Sequence, residues 1–157
     1  MSVSGDDLRR AMGLFATGVT VVTVLDDEGT PKGFTVNSLT SVSLDPPLVL
    51  VCVDLSADVY PCFRRDRAFA VNILSEDQEK ISRTFASKIE EKFEEVSCRP
   101  GKLGPPLLDG CIGHLECRII QDYPGGDHTI FVGQVEASES AGDGNPLLFY
   151  GGKYAKL

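Results

Sequence analysis

Residues 33–54, GFTVNSLTSVSLDPPLVLVCVD, decide the fold class. Phe34, Val36, Val42 and Leu44 share one parity; Thr35, Asn37, Ser41 and Ser43 take the other, with Leu39 the exception. A period of two belongs to extended chain, where successive side chains face opposite sides of a sheet, and β-branched and aromatic residues favour it. The segment therefore predicts a half-buried strand, or two strand pieces with a bend, carrying a face of short hydroxyls and an amide (Thr35, Asn37, Ser38, Thr40, Ser41, Ser43). Pro46-Pro47 make a turn, and Leu48 to Val53, apolar on both parities, predicts a strand covered on both faces. A row of hydroxyls on a rigid strand suits a polar, flat, phosphate-bearing ligand; it is equally the pattern of a solvent-facing strand.

Working outward, Ser4 to Gly18 predicts a helix. Ser4 is placed to cap it, Asp6 and Asp7 suit its positive end, Leu8, Met12 and Phe15 share a face, and Gly18 is placed to stop it. GVTVVTVLD (18–26) is a strand, and Asp26–Gly29 a hairpin turn that sets it antiparallel to the Gly33 segment. Leu55 to Arg67 is a loop or short helix around Tyr60-Pro61, and RAFAVNIL (67–74) a further strand. Ser75 and Gln78 have capping-box spacing ahead of a helix with the stripe Ile81, Phe85, Ile89. Residues 99–106 read as a loop. Leu107–Tyr123 and His128–Glu139 read as strands separated by the turn Pro124–Asp127, with a short strand in the tail. Six or seven hairpin-connected strands with two helices predict a mainly β, antiparallel barrel with helical additions, one domain over residues 1–157.

Composition narrows the function. At 42% hydrophobic residues the chain is globular, and no apolar run approaches the roughly 20 residues that span a bilayer, so no membrane partner is expected. The N-terminus lacks a secretory signal, and five scattered cysteines without a C-x-x-C pair predict reduced thiols and a cytoplasmic location. A net charge of −8 argues against nucleic acid. Residues 60–102 nevertheless hold nine Lys/Arg against eight Asp/Glu, a balance that allows a small anion nearby. Two histidines without neighbouring ligands predict no metal site. G-x-S-x-G, the P-loop and the strand–G-x-G-x-x-G–helix unit are all absent, so a reactive group would come from a cofactor.

FATGVTVVTV (15–24), the 33–54 segment, FAVNIL (69–74), GDHTIFVGQVE (126–136) and PLLFYGGKY (146–154) resemble, in order and spacing, the flavin reductase-like family. The match runs from Leu8 to Tyr154. These are small NAD(P)H:flavin oxidoreductases of the FMN-binding split-barrel fold, which feed reduced flavin to two-component monooxygenases. The resemblance implies an antiparallel six-stranded split β-barrel with a few peripheral helices. It also implies a homodimer with FMN or FAD in a groove near the subunit interface, NADH or NADPH as co-substrate, and a partner monooxygenase reached by diffusible flavin. By matching motif, Thr35, Val36, Asn37, Ser38, Ser41 and Ser43 would face the flavin. Cys52, Val53 and Asp54 would run beneath its ring, with Ser56 near the ribityl phosphate. Phe85, Ala86, Ser87 and Lys88 would form a phosphate-facing turn, although Phe85 also completes the helix stripe. Gly126, Asp127 and His128 would meet the nicotinamide nucleotide, His128 as a positioning group with no acid–base role, and Tyr154 would line the same pocket. His114 reads as structural. The same fold also admits a flavoprotein with tightly bound FMN that reduces another acceptor (a quinone, ferric chelate or corrinoid) and a non-catalytic flavin-binding electron-transfer module.

Overall fold

The computed structural model describes residues 2–157. Ser4 caps the first helix, its hydroxyl accepting the Asp7 N–H at 3.1 Å. This helix, α1 (Gly5–Met12), ends at Gly13, whose N–H closes the last turn on Arg9 O at 2.8 Å. Gly18, expected as the stop, lies in a short strand instead, because β1 (Thr17–Gly18) pairs with the C-terminal segment. Then follow β2 (Thr20–Leu25), β3 (Pro31–Val36), β4 (Thr40–Leu44), β5 (Pro47–Asp54), a 3-10 turn (Tyr60–Cys62) and β6 (Ala68–Ile73). After α2 (Glu79–Ala86) come β7 (Cys98–Pro100), β8 (Pro106–Leu108), β9 (Gly113–Gly125), β10 (His128–Ser140), β11 (Leu148–Tyr150) and β12 (Lys153–Ala155).

One antiparallel sheet of seven strands, where the resemblance implies six in the barrel, has the order β3-β2-β6-β9-β10-β5-β4. Its two edge strands, β3 and β4, are consecutive in the chain and joined by residues 37–39, so the connection draws the edges together. Ser38 stands opposite Cys52 if the β4–β5 register is extended, and there its hydroxyl replaces the ladder, accepting the Cys52 N–H at 3.2 Å. The curled sheet encloses a core that includes Val22, Val36, Val51, Phe63, Phe69, Ile119 and Phe131. A second core, Val19, Val21, Leu74, Phe85, Leu108 and Leu147, lies outside it under α2 and the tail. β1, β11 and β12 form a small sheet of their own.

Several expectations are corrected. β5 alternates, with Val49, Val51 and Val53 buried and Leu48, Leu50 and Cys52 half-buried, because among the described residues no element covers its outer face. β2 and β6 are the strands buried on both faces; in β2, Val22 and Val24 point into the barrel while Val21, with Val19 just before the strand, meets the outer core. α2 starts at Glu79: Gln78 reaches back to the Ser75 N–H at 2.9 Å, which is half of the expected capping box, and the helix opens one turn later. Ile89 falls beyond the helix and is exposed. Residues 99–106 are not purely loop, since β7 and β8 pair across them.

Gly133 marks a tight point of the barrel. A Cβ there would sit 2.7 Å from the Phe69 ring and 2.9 Å from the Cys117 side chain, both in fully buried neighbours. Gly133→Ala is expected to destabilise by about 2 kcal/mol through overpacking, read as a lower urea midpoint with an unchanged slope.

Candidate active-site groove

Ser82 is buried on the barrel-facing side of α2 and joins three elements. The Thr35 hydroxyl of β3 donates to its carbonyl at 2.6 Å, and its own hydroxyl meets the Tyr154 hydroxyl of β12 at 2.7 Å. Arg83 lies over the Tyr154 ring at 4.8 Å, and Phe149 meets that ring edge-on at 5.5 Å. The hairpin carrying both aromatics is tied to the end of α1, Gly151 N–H donating to Gly13 O at 2.8 Å.

These ties leave a groove of two adjoining cavities that share Asn37 and Phe149. The larger, about 620 Å³, is walled by Met12, Phe15, Thr17, Leu39 and Phe149 between α1, the hairpin and the barrel rim. The smaller, about 210 Å³, is bounded by Val19, Thr35, Ser82, Ala86 and Tyr154. Together they have the volume and largely apolar lining of a small-molecule site with a few polar groups. Asn37 is exposed at their junction, and among the described residues its amide makes no hydrogen bond. It therefore offers both donors and its acceptor to a ligand. Flat apolar walls with an amide at their junction fit a planar heteroaromatic ring such as flavin.

The residues singled out in the sequence divide into groups. Thr35, Asn37, Ser38, Ala86 and Tyr154 line the groove. The hydroxyls of Thr35 and Ser38 are engaged by Ser82 and by the Cys52 backbone. The side chains of Val36, Val53 and Phe85 are buried in the two cores, so only their backbone can meet a ligand. Ser41 is exposed and Ser43 half-buried on β4, opposite Val49 and Leu48, and Cys52 is half-buried further along β5, beside Ser38. Asp54 and Ser56 form a turn in which the Asp54 carboxylate accepts the Ser56 hydroxyl and N–H, both at 2.7 Å; these bonds lower its pKa. Ser87 bonds back to Thr84 O at 2.6 Å, and Lys88 is exposed.

Gly126 and Asp127 form the two-residue loop of the β9–β10 hairpin, with Gly126 at φ +74°. His128 follows, opposite Asp54 across β5 and β10, with its Nδ1 2.7 Å from the Asp127 carboxylate. This hairpin is separated from the 37–39 connection by β5 and lines neither cavity. Burial raises the Cys111 thiol to about 11 and Cys117 to about 12, so neither supplies a thiolate near neutral pH. His114 is structural as expected, its Nε2 2.8 Å from Leu108 O at the opposite end of β9. The basic residues of 60–102 do not gather. Six of them pair with carboxylates, Arg64 and Arg67 both with Asp27, and Lys88, Lys92 and Lys102 remain without such a partner among the described residues.

Sequence reading missed Thr17, Ser82 and Phe149. Thr17 and Phe149 face each other only through β1–β11 pairing, and a lone helix serine carries no local signal.

Residues 12–157 match the family described as "Flavin reductase like domain". The chain belongs to that family. It is 44% identical to the NADH-dependent FAD reductase of Streptomyces globisporus, over 96% of this chain and 84% of the relative. To the NADH-dependent flavin reductase of a Rhodococcus species it is 43% identical, covering 96% and 85% of the two chains. It spans only 43% of the length of a Rhizobium meliloti protein named "probable flavin reductase", with 47% identity over 86% of this chain. The solved structure of the Streptomyces globisporus NADH:FAD oxidoreductase in complex with NAD and FAD fragments superposes with a TM-score of 0.92 at 43% identity, covering 100% of this chain and 96% of that one.

Thr17 Oγ1 is buried without a hydrogen-bond partner, alone in this among the side-chain polar atoms of the described residues. Replacing it by an isosteric methyl removes an unsatisfied group. Thr17→Val is therefore expected to stabilise the fold by up to about 1 kcal/mol, seen as a raised melting temperature; a loss of stability would show that the hydroxyl has a partner.

Proposed function

We propose that the chain is an NADH-dependent flavin reductase whose groove around Asn37 holds the flavin ring. The observation that carries this reading is the pair of cavities sharing Asn37 and Phe149, apolar on their walls and with an uncommitted amide between them. Flavin, when bound, supplies the N5 atom that accepts hydride from C4 of the nicotinamide. The protein's own work is to hold and orient. Asn37 can bond the polar edge of the ring, Phe149 and Tyr154 can bound its faces, and the Ala86–Lys88 turn can offer N–H groups and a cation to a phosphate. No side chain need move a proton for hydride transfer, since positioning at near-attack distance provides most of what the protein adds.

His128 is read as a nicotinamide-positioning group. Its Nδ1 faces Asp127, which leaves Nε2 for a ligand. NADH is favoured over NADPH because the relatives at 43% and 44% identity are named as NADH-dependent. A homodimer follows from surfaces this chain leaves uncovered: Leu8, Met12 and Phe15 of the α1 region, and Val42 and Leu44 of β4, the last 93% exposed. Reduced flavin would pass to a monooxygenase, as the names of relatives that are reductase components suggest. Among the described residues no helix is long and apolar enough to cross a membrane.

Mixing the flavin-loaded protein with NADH in a stopped-flow instrument should bleach the flavin band as NADH is consumed; an unchanged band would remove the reductase assignment. His128→Ala should raise the nicotinamide KM about tenfold, the value of one hydrogen bond, and leave flavin affinity nearly unchanged. Equal loss of both would contradict its role.

A further inference from the structure

Lys92 lies in the irregular segment after α2 and is half-buried, unlike its acidic neighbours Glu90, Glu91, Glu94 and Glu95. Its Nζ donates to Phe85 O at 3.2 Å and to Gly33 O at 3.4 Å. Phe85 O belongs to the last turn of α2, where carbonyls lack intrahelical partners and the helix dipole favours a cation. Gly33 O lies on β3, so the ammonium joins the end of the helix to the edge of the barrel. The same point is fixed twice more. Phe85 seats its ring where a Gly33 Cβ would be, 2.9 Å from Cε1, and Phe93 packs edge-on against it at 5.0 Å. Burial lowers the Lys92 pKa, and the Asp58 carboxylate opposes that. The next residues, Ala86, Ser87 and Lys88, leave directly from this pinned carbonyl, and Ala86 lines the smaller cavity.

We propose that Lys92 is a positioning residue for the phosphate end of the flavin: by binding the carbonyls of Gly33 and Phe85 it fixes where the Ala86–Lys88 turn stands against β3. Lys92 does not touch the ligand; it acts through the turn. The proposal rests on the flavin-reductase reading and on that turn meeting the phosphate.

The test compares FMN with riboflavin, which has the same ring and no phosphate, in the wild type, Lys92→Met and Lys92→Arg. Affinity is read by quenching of flavin fluorescence and, separately, as KM with NADH. Lys92→Met should weaken FMN about tenfold and change riboflavin and NADH by less than about twofold; Lys92→Arg, which keeps the cation and its donors, should recover most of the loss. Unchanged FMN affinity, or FMN and riboflavin weakening together, would overturn the proposal. Should Lys92→Met fail to fold, Lys92→Gln, which keeps a donor without the charge, takes its place with the same expected split. A wild type that quenches flavin fluorescence yet never oxidises NADH would instead sink the reductase reading, and the FMN-to-riboflavin affinity ratio would still decide the role of Lys92.

Discussion

Ser82 fixes three distant parts of the chain at one point. Its carbonyl takes the Thr35 hydroxyl from the barrel edge, and its hydroxyl meets Tyr154 from the C-terminal hairpin. Its N–H stays in the helix, bonded to Gln78 O at 3.1 Å. Each bond is modest by itself, about 1 kcal/mol net in a folded protein. Their placement matters more than their sum. Without the helix end, the barrel edge and the hairpin in register, the cavity below Tyr154 would have no fixed walls.

The packing around this junction gives the groove a rigid frame. Gly33 admits the Phe85 ring against β3, which holds α2 close enough for Thr35 to reach it. The outer core of Val19, Val21, Leu74 and Leu147 then carries the tail across β2, and β11 brings Phe149 opposite Thr17. On the opposite side of the groove, Ser38 bonds to β5 in place of a ladder partner, so Asn37 is presented from a short connection anchored at both ends. A binding amide held this way loses little freedom when a ligand arrives, the preorganisation that favours tight and oriented binding.

Much of the fold was legible because it is local. Period-two alternation located β2, β3, β6 and β10; Ser4 announced its cap; Asp26–Gly29 and Gly126–Asp127 announced their hairpins. What sequence could not supply was which faces become covered. Leu48–Val53 is apolar throughout and Thr20–Leu25 carries two threonines, yet of the two it is β2, packed under α2 and the tail, that is buried on both faces. The groove was legible in part for the same reason. Asn37 and Tyr154 sit in quotable motifs, whereas Ser82 and Thr17 acquire their positions from contacts made far away in the chain. Hydroxyls that look available in the sequence, at Thr35 and Ser38, are engaged by backbone groups that alternation cannot reveal. Charge counting could not show how the basic residues are used: the arginines from Arg64 to Arg99 spread into separate ion pairs, whereas Lys88 has no such partner among the described residues.

The groove framed by Asn37, Ser82 and Tyr154 is proposed to hold the flavin. Hydrogen–deuterium exchange with and without saturating FMN tests it directly. Slowed exchange confined to residues 35–38, 86–88 and the 148–155 hairpin is the predicted result. Protection centred on the opposite end of the barrel, around residues 113–116, with the groove unaffected, would contradict it.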